Sequence, residues 1–388
     1  MIPPGSARRD TVFSLTDDQR ALVDHARQVG REVLAPIARA GEPGRVNRRL
    51  VRALAEEGLL PRLFPRWAGG TREGGVSALD LCLLREGLAR ECTEAETALA
   101  MQGLGGYPVL LAGPEELARR HLPAVARGEA VAAFALTEPE HGSDAAAIEL
   151  RAEPDGAGFR LTGVKTWISN APDADLYTVF ARTTPGAGAR GVTAFLLPRD
   201  TPGVRGEPLA LLSPHPVGRL ELEGAFVPRD QVVGEVDGGF RVAMQTLDLF
   251  RPSVGAFAVG MAWAALDAAV AYAGTRRAFG RPIREFQAVS HLLAEMATRT
   301  EAARLLVYAA AAALDEGRPG VTRTSAMAKL FATETAQFVV DAALQVHGAA
   351  GLERGHLLER LYREVRAPRI YEGTSEVQRE VIARELYR

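Results

Sequence analysis

The sequence predicts a multidomain α+β protein with an N-terminal α-helical domain, a central antiparallel β-barrel or sandwich, and a C-terminal domain like a four-helix bundle. The hydrophobic period changes from helical spacing to short alternating strands near residue 130, and helical spacing returns near residue 237. Because no long helical pattern interrupts the strands, a doubly wound parallel sheet is disfavoured. We therefore predict domains over residues 1–129, 130–236 and 237–388.

The N-terminal domain is predicted from helical segments that Gly and Pro separate. Thr16 is a candidate N-cap, and Leu22, Ala26, Val29 and Val33 then recur at the spacing of one helix face. Further helical segments are "NRRLVRALAEEG", "SALDLCLLREGLARE" and "PEELARRHLPAVARG".

The central domain is predicted from five short strands: "IELRAE", "GFRLTG", "LYTVFAR", "VTAFLLP" and "RLELEGAFVP". Residues 186–191 match the G-x-G-x-x-G fingerprint of dinucleotide-binding folds, which requires a strand before it and a helix after it. A strand follows here instead. We therefore predict a hairpin loop and reject a Rossmann domain.

The C-terminal domain is predicted from three long helical segments. The first, "RVAMQTLDLFRPSVGAFAVGMAWAALDAAVAYA", is apolar nearly all round, which is typical of a buried bundle helix. The other two end near Gly317 and Gly348. Polar residues interrupt these segments too often for a bilayer span, so we predict no membrane insertion.

Composition excludes several classes of function. A net charge of −2 provides no global field for binding nucleic acid. Cys82 and Cys92 are too few for a disulfide framework or a four-cysteine zinc site, and the spacing of His, Cys, Asp and Glu predicts no metal. The N-terminus lacks a signal-peptide pattern, so we expect a cytoplasmic location. Lys165 and Lys329 are the only lysines, and we attribute the arginine bias to a GC-rich genome.

Two segments of the β domain carry candidate ligand-binding groups. In the first, residues 134–147, Thr137, Ser143 and Asp144 surround Gly142 after a strand. Their hydroxyls and the exposed backbone suit a polar, planar ligand, and an ordinary turn with side-chain hydrogen bonds is the alternative. In the second, "KTWISN", Trp167 is either a core residue or the wall of a ring-binding site.

Near the C-terminus, "RIYEGTSEVQRE" places Glu372 between an aromatic residue and Gly373, just before a predicted helix. One interpretation is helix punctuation, because Ser375 and Gln378 have the spacing of a capping box and acidic residues are favoured near a helix N-terminus. The other interpretation is a functional carboxylate.

Five motifs occur in an order and spacing that resemble the acyl-CoA dehydrogenase family of flavoproteins: "ALTEPEHGSD", "GVKTWISN", "RRAFGRPI" with "EFQ", "QVHGAAG" and "IYEGTSE". The resemblance covers nearly the whole chain and implies two helical domains around a β-barrel. It also implies an oxidoreductase of fatty acid metabolism that acts on CH–CH groups, with FAD as cofactor, acyl-CoA as substrate and an electron-transfer flavoprotein as acceptor. A homo-oligomer is expected, at least a dimer and usually a homotetramer in this family.

The resemblance gives Glu372 the role of catalytic base. It implies that this carboxylate removes the α proton of the acyl thioester while hydride passes from the β-carbon to flavin N5, which yields a trans-2-enoyl-CoA. Burial is expected to raise the pKa of Glu372. Some subfamilies carry the base at the position of Phe250, which cannot accept a proton.

The same resemblance implies two sets of ligand-binding residues. FAD contacts are expected from Phe134, Thr137, Gly142, Ser143, Trp167, Ser169, Arg276, Phe279, Gln287, Gln345, Gly348, Thr374 and Glu376. Of these, Arg276, Phe279 and Gln287 match residues that reach FAD bound to a neighbouring subunit. Substrate contacts are expected from Ser143, Asp248, Arg251, Tyr371 and Gly373.

The chain departs from the family pattern at three places. Glu140 and His141 replace a small pair, residues 209–222 lack the usual motif and look short, and Ala349 and Ala350 replace a Gly-rich pair. The first two places lie near the thioester and pantetheine arm in family members, so we hypothesise an unusual substrate, such as a branched, cyclic or carrier-protein-bound acyl group. The alternatives are an acyl-CoA oxidase-like enzyme, a desaturase of carrier-protein thioesters and a non-catalytic flavin-binding scaffold.

Overall fold

The N-terminal part of the chain is helical, as predicted. The computed structural model describes residues 14–387, and the residues of the predicted terminal domains at 1–13 and 388 lie outside this range. The helices are α1 (Asp17–Val29), α2 (Ala35–Arg39), α3 (Arg48–Glu56), α4 (Ala78–Glu91), α5 (Thr93–Ala112) and α6 (Glu115–Ala126).

The predicted cap of the first helix is confirmed. The backbone amide of Gln19 donates to Thr16 Oγ1 at 3.2 Å, and the amide of Thr16 donates to Gln19 Oε1 at 2.9 Å. This reciprocal pair satisfies two amides that the helix itself leaves without partners. A π-helical turn, Gly30–Leu34, follows α1 and carries the predicted helical position Val33.

The central part forms one eight-stranded sheet, in the order β6-β7-β3-β2-β4-β5-β8 with β1 beside β4. The strands are β1 (Ala132–Ala135), β2 (Arg151–Asp155), β3 (Gly158–Ser169), β4 (Leu176–Arg182), β5 (Val192–Pro198), β6 (Val204–Pro208), β7 (Val217–Pro228) and β8 (Val232–Val233). Strands β4 and β5 pair antiparallel, so residues 186–191 lie in the loop of a hairpin, as predicted.

The expectation of a wholly antiparallel sheet is wrong at two pairs. Strand β1 runs parallel to β4 from Ala132 opposite Leu176 to Ala135 opposite Val179, and β2 meets β4 in parallel at a single residue pair. Parallel neighbours need a long connection, which the hairpin of β2 and β3 supplies between β1 and β4. Strand patterns along the sequence show only which segments are extended and not which segments become neighbours.

The C-terminal part consists of helices α7 (Gly239–Thr275), α8 (Gln287–Asp315), α9 (Val321–His347), α10 (Leu357–Glu364) and α11 (Ser375–Leu386), with a small hairpin of β9 (Arg277–Ala278) and β10 (Arg281–Pro282) after α7. By length and composition α7 is apolar enough to cross a bilayer, which corrects the sequence-based statement that no such segment exists. However, 72% of its most apolar stretch is buried inside the protein, as in the core helix of a bundle.

Helix α7 is central to the packing that positions the site. It packs against α4, α5, α8 and α9, and α11 packs on α9. Helix α5 also lies close to the first strand, because a Cβ atom on Gly105 would lie 2.6 Å from the amide nitrogen of Ala133. Thr178 Oγ1 donates to the Gly105 carbonyl at 2.9 Å, so glycine allows the contact that joins the helical and β domains.

Candidate active site

The loop before α11 holds Glu372 in a strained and anchored conformation. Glu372 has φ of 52° and Gly373 has φ of 90°, both in the region that non-glycine residues rarely adopt. Lys329 Nζ donates to the Gly373 carbonyl at 2.7 Å, and Gln378 Nε2 donates to the carbonyls of Glu372 and Gly373 at 3.1 and 3.0 Å. These side chains of α9 and α11 fix the backbone that carries the carboxylate.

Glu372 is half-buried, and its carboxylate has one buried oxygen that is unpaired. Its Oε2 atom has no hydrogen-bond partner among the described residues. Burial raises the pKa of the Glu372 carboxyl above its usual value, and the positive charges of Arg85 and Lys329 partly oppose that rise. Burial also lowers the pKa of Lys329 to about 8, against the effect of Glu372. A carboxyl group with a raised pKa and an unpaired oxygen suits a general base.

The prediction of Ser375 as the N-cap is wrong by one residue. Thr374 is the N-cap, with Oγ1 accepting from the amide of Val377 at 3.2 Å, and Ser375 is the first helical residue. The Ser375 hydroxyl donates instead to Glu334 Oε1 at 2.6 Å. Thr and Ser are both common at N-caps, and only Ser375 has Gln378 at capping-box spacing, so the sequence pattern favoured the wrong one of the two. Glu376 lies exposed in the first turn of α11.

The first two flavin motifs lie side by side. The amide of Thr166 donates to the Thr137 carbonyl at 3.0 Å, and between these residues Lys165 Nζ donates to Glu138 Oε1 at 2.7 Å. Both charged side chains of that pair are buried, and burial lowers the pKa of Lys165 to about 8 against the effect of Glu138. Phe134 packs against Phe180 with ring centroids 4.9 Å apart.

These two motifs also present groups to the surface. Trp167 is 53% exposed with φ of 54°, and it lies where the pairing of β3 with β7 shifts register. Ser169 is half-buried at the end of β3. Gly142 and Ser143 are exposed, and no atom lies within 4 Å of the position that a Cβ on Gly142 would take. The core interpretation of Trp167 is therefore wrong, because the ring faces outwards from the sheet.

The remaining predicted FAD residues lie on separate surfaces. Arg276 and Gln287 are exposed at either end of the connection from α7 to α8, and Phe279 is 95% exposed with φ of 50°. Gln345 and Gly348 are exposed at the C-terminal end of α9. No hydrogen bond within residues 14–387 joins either group to the loop of Glu372. A side chain as large as Phe279 exposed in a strained conformation is typical of a residue that contacts a ligand or another subunit.

The predicted substrate residues of α7 form an ion pair. Arg251 Nη1 donates to Asp248 Oδ1 at 2.7 Å, and Arg251 is almost completely buried. The Nε atom of Arg251 has no hydrogen-bond partner among the described residues. The Arg251 charge is also among those that oppose the raised pKa of Glu372, so α7 and the loop face one another.

FAD fits the residues that the structure presents. A flavin needs an aromatic wall, polar groups at its ring edge and a cation for its pyrophosphate. The structure presents one group of each kind: the exposed ring of Trp167, the open backbone at Gly142 and the exposed guanidinium of Arg276. Three of the five non-glycine residues with positive φ in the described chain are predicted site residues, namely Trp167, Phe279 and Glu372.

Several residues of the site escaped the sequence analysis. Both lysines are completely buried, and each holds a segment of the site, Lys165 through Glu138 and Lys329 through Gly373. The signal available in the sequence was that only two lysines occur in a chain whose other basic residues are arginines. We attributed this bias to genome composition and therefore did not consider a role for the two lysines. Arg85 on α4 was also missed, although it is a charged residue inside an apolar helical segment.

One surface cavity lies beside the site and not in it. It has a volume of about 620 Å³ and is formed by α8, α9 and the segment before the Glu372 loop. Arg369 and Glu334 both line it and form an ion pair at 3.0 Å. None of the predicted site residues lines this cavity, so we assign it no role in the chemistry.

Comparisons with known proteins define the class. Residues 16–129, 133–224 and 237–387 match the acyl-CoA dehydrogenase N-terminal, middle and C-terminal domains, respectively. The chain is 38% identical to a probable acyl-CoA dehydrogenase, FadE25, of Mycobacterium tuberculosis over 381 residues, which is 97% of each protein. The chain therefore belongs to the acyl-CoA dehydrogenase family and is an oxidoreductase.

Solved structures agree with this assignment. Butyryl-CoA dehydrogenase of Megasphaera elsdenii is 34% identical, with a TM-score of 0.92 over 97% of this chain and 100% of that one. A chain in a study of the electron-transferring flavoprotein of Acidaminococcus fermentans is 36% identical, with a TM-score of 0.92 and the same coverage. An FAD complex of PigA is 29% identical, with a TM-score of 0.91 over 97% and 99% of the chains. The predicted fold class is confirmed, and the FAD complex of PigA agrees with the predicted cofactor.

Proposed function

We propose that this protein catalyses the FAD-dependent α,β-dehydrogenation of an acyl-CoA thioester, with Glu372 as the base that removes the α proton. One observation carries the proposal: a carboxylate with a buried, unpaired oxygen is held on a strained loop that three hydrogen bonds anchor. Such strain persists only where the surroundings enforce it, and it concentrates at functional sites.

The residues around Glu372 suit removal of a weakly acidic proton. Burial raises the pKa of the carboxyl and so strengthens it as a base, while Arg85 and Lys329 keep the rise limited. The amide of Glu372 donates no hydrogen bond within the described chain, so it is available to the thioester oxygen. A donor at that oxygen stabilises the negative charge that develops as the proton leaves. FAD, when bound, supplies the acceptor for the hydride from the β-carbon.

The flavin-binding role extends to two surfaces of the chain. Eight residues are proposed to contact the flavin of the same subunit: Phe134, Thr137, Gly142, Ser143, Trp167, Ser169, Thr374 and Glu376. The exposed residues Arg276, Phe279 and Gln287 are proposed to contact FAD across a subunit boundary. The exposed residues Gln345 and Gly348 are proposed to approach the adenosine half of FAD. This arrangement requires at least a dimer, and we propose a homotetramer.

We further propose that electrons pass to an electron-transfer flavoprotein in the cytoplasm. The proposed electron acceptor is supported by the similarity to a chain from a study of such a flavoprotein. The proposed cytoplasmic location is supported by the two cysteines, which are both free and buried. A role in fatty acid metabolism follows from the proposed substrate class.

The test is to load the purified protein with FAD and incubate it with an artificial electron acceptor and with straight, branched and cyclic acyl groups, each as the CoA ester and as the carrier-protein thioester. Mass spectrometry should find a product 2 Da lighter than its substrate. Hydrogen peroxide without an added acceptor would favour the oxidase alternative, and turnover only on carrier-protein thioesters would replace CoA as the carrier. A protein that binds no FAD would contradict the proposal.

A further inference from the structure

Helices α4, α5 and α7 meet at a buried ion pair, of which the proposed chemistry uses only the positive charge of Arg85. Arg85 of α4 donates from Nε to Glu96 of α5 and from Nη1 to Ser253 Oγ of α7, the latter at 2.7 Å. The Arg85 side chain is only 2% exposed, and that of Glu96 is completely buried. The guanidinium carbon also lies 5.8 Å from the centre of the Phe257 ring.

Helix packing alone does not account for this pair. Replacing a buried ion pair with apolar residues of similar volume is often neutral or stabilising, because both charges lose their hydration. Moreover, Arg85 is not fully paired, since Nη2 makes no hydrogen bond with any described residue. A guanidinium has five N–H donors, so the donors of Nη2 remain available to a ligand.

Hydrogen bonds connect Arg85 to the part of α7 that carries Phe250, because Ser253 Oγ accepts from Arg85 and donates to the Phe250 carbonyl at 2.6 Å. By the family resemblance, Phe250 holds the position at which some subfamilies carry the base. Outside its own pair with Glu96, the groups on which its charge acts most strongly are Tyr371 and Glu372. In turn, Arg85 is the cation that most affects both of those groups. Tyr371 is 36% exposed, and its hydroxyl makes no hydrogen bond within residues 14–387, so this hydroxyl is accessible to a ligand.

We propose that Arg85, with Tyr371, recognises an uncharged oxygen on the acyl chain beyond the β-carbon, such as a hydroxyl or keto group. This inference rests on the proposed function, because it places the α-carbon beside Glu372. The CoA end of the substrate must reach solvent, so the far end of the acyl chain enters the interior where Arg85 lies. Glu96 already neutralises Arg85, and Glu372 acts as an anion. A second carboxylate there would lack a compensating charge, which favours a neutral oxygen.

The test compares acyl-CoA esters of four, five and six carbons, each with a methyl, a hydroxymethyl or a carboxyl end. With the FAD-loaded wild-type protein, the best hydroxyl ester should exceed its plain counterpart at least tenfold in kcat/KM, because a site built to bond an oxygen discriminates against its absence. Preference for the plain ester at every length would overturn the inference, and preference for the carboxyl ester would overturn its restriction to uncharged groups.

A double variant, Arg85→Met with Glu96→Leu, removes the pair without leaving an unpaired charge. Because Arg85 also affects the pKa of Glu372 and so the rate on both esters, the readout is the ratio of the two kcat/KM values, and the preference for the hydroxyl ester over the plain ester should fall at least tenfold. The matched control is Arg27→Met with Glu91→Leu, which removes the ion pair at 3.1 Å between α1 and α4 and should leave the preference unchanged. Retained discrimination in the Arg85 double variant would overturn the inference. If no ester of any class reduces the flavin, the proposed function itself fails.

Discussion

The buried pair of His215 and Glu364 should make the stability of the protein depend on pH between 6.5 and 9. His215 Nε2 lies 2.6 Å from Glu364 Oε2, and the two side chains are 13% and 5% exposed. Burial alone would lower the pKa of His215, but the charge and hydrogen bond of Glu364 outweigh it and raise the pKa to about 9. The pair joins the atypical segment 209–222 to the end of α10.

The magnitude follows from linkage between protonation and folding. A rise of the His215 pKa from 6.5 to about 9 corresponds to about 3 kcal/mol of folding free energy, at about 1.4 kcal/mol for each factor of ten. Because the folded pKa lies above the unfolded one, the contribution is complete below pH 6.5. It declines as pH rises and is lost once pH passes about 9.

The assay is urea denaturation of the wild-type protein and of His215→Gln from pH 6 to 10, followed by circular dichroism. Glutamine still donates to Glu364 but does not titrate, so the difference between the proteins isolates the charge of His215. The difference in unfolding free energy should shrink by about 3 kcal/mol from pH 6 to 10. A difference that stays constant over this range would refute the reasoning.

Three further substitutions test the site. Lys329→Met removes a positive charge that opposes the raised pKa of Glu372, so the acidic limb of the pH profile for flavin reduction should move to higher pH; an unchanged profile would contradict this. Gly373→Ala places a Cβ atom 2.5 Å from Gln378 Nε2 at φ of 90° and should reduce kcat/KM at least tenfold, with about 1–2 kcal/mol lost from thermal stability; wild-type activity would contradict it. Arg276→Met should lower the FAD content per chain after gel filtration, whereas full FAD retention would show that Arg276 does not hold the cofactor.

Local sequence signals predicted most of the fold. The capping box at Thr16, the long apolar helix α7 and the hairpin loop at 186–191 each depend on residues close together in the chain. The parallel pairing of β1 with β4 was not predictable in this way, because it depends on which distant strand becomes a neighbour. The cap at Thr374 was missed by one residue because two adjacent residues, Thr374 and Ser375, both carry a hydroxyl group that suits an N-cap.

Only those residues of the candidate site that lie within the sequence motifs were predicted. The motifs include Glu372 and Trp167, but the groups that hold or polarise the Glu372 loop come from distant helices. Lys329 contacts Gly373 across 44 positions, and Arg85 contacts Ser253 across 168. A single charged residue in an apolar helix resembles any surface residue that faces away from the core. Its partner becomes evident only when the helices are packed.

The most direct test of the central claim is an anaerobic titration of the FAD-loaded wild-type protein and of Glu372→Gln with acyl-CoA esters. Glu380→Gln, at an exposed position of α11, is the matched control. The oxidised-flavin absorbance of the wild-type and control proteins should bleach on addition of a substrate ester, while Glu372→Gln should bind FAD normally and fail to bleach. Bleaching of the Glu372→Gln protein at the wild-type rate would show that another group removes the α proton and would contradict the account.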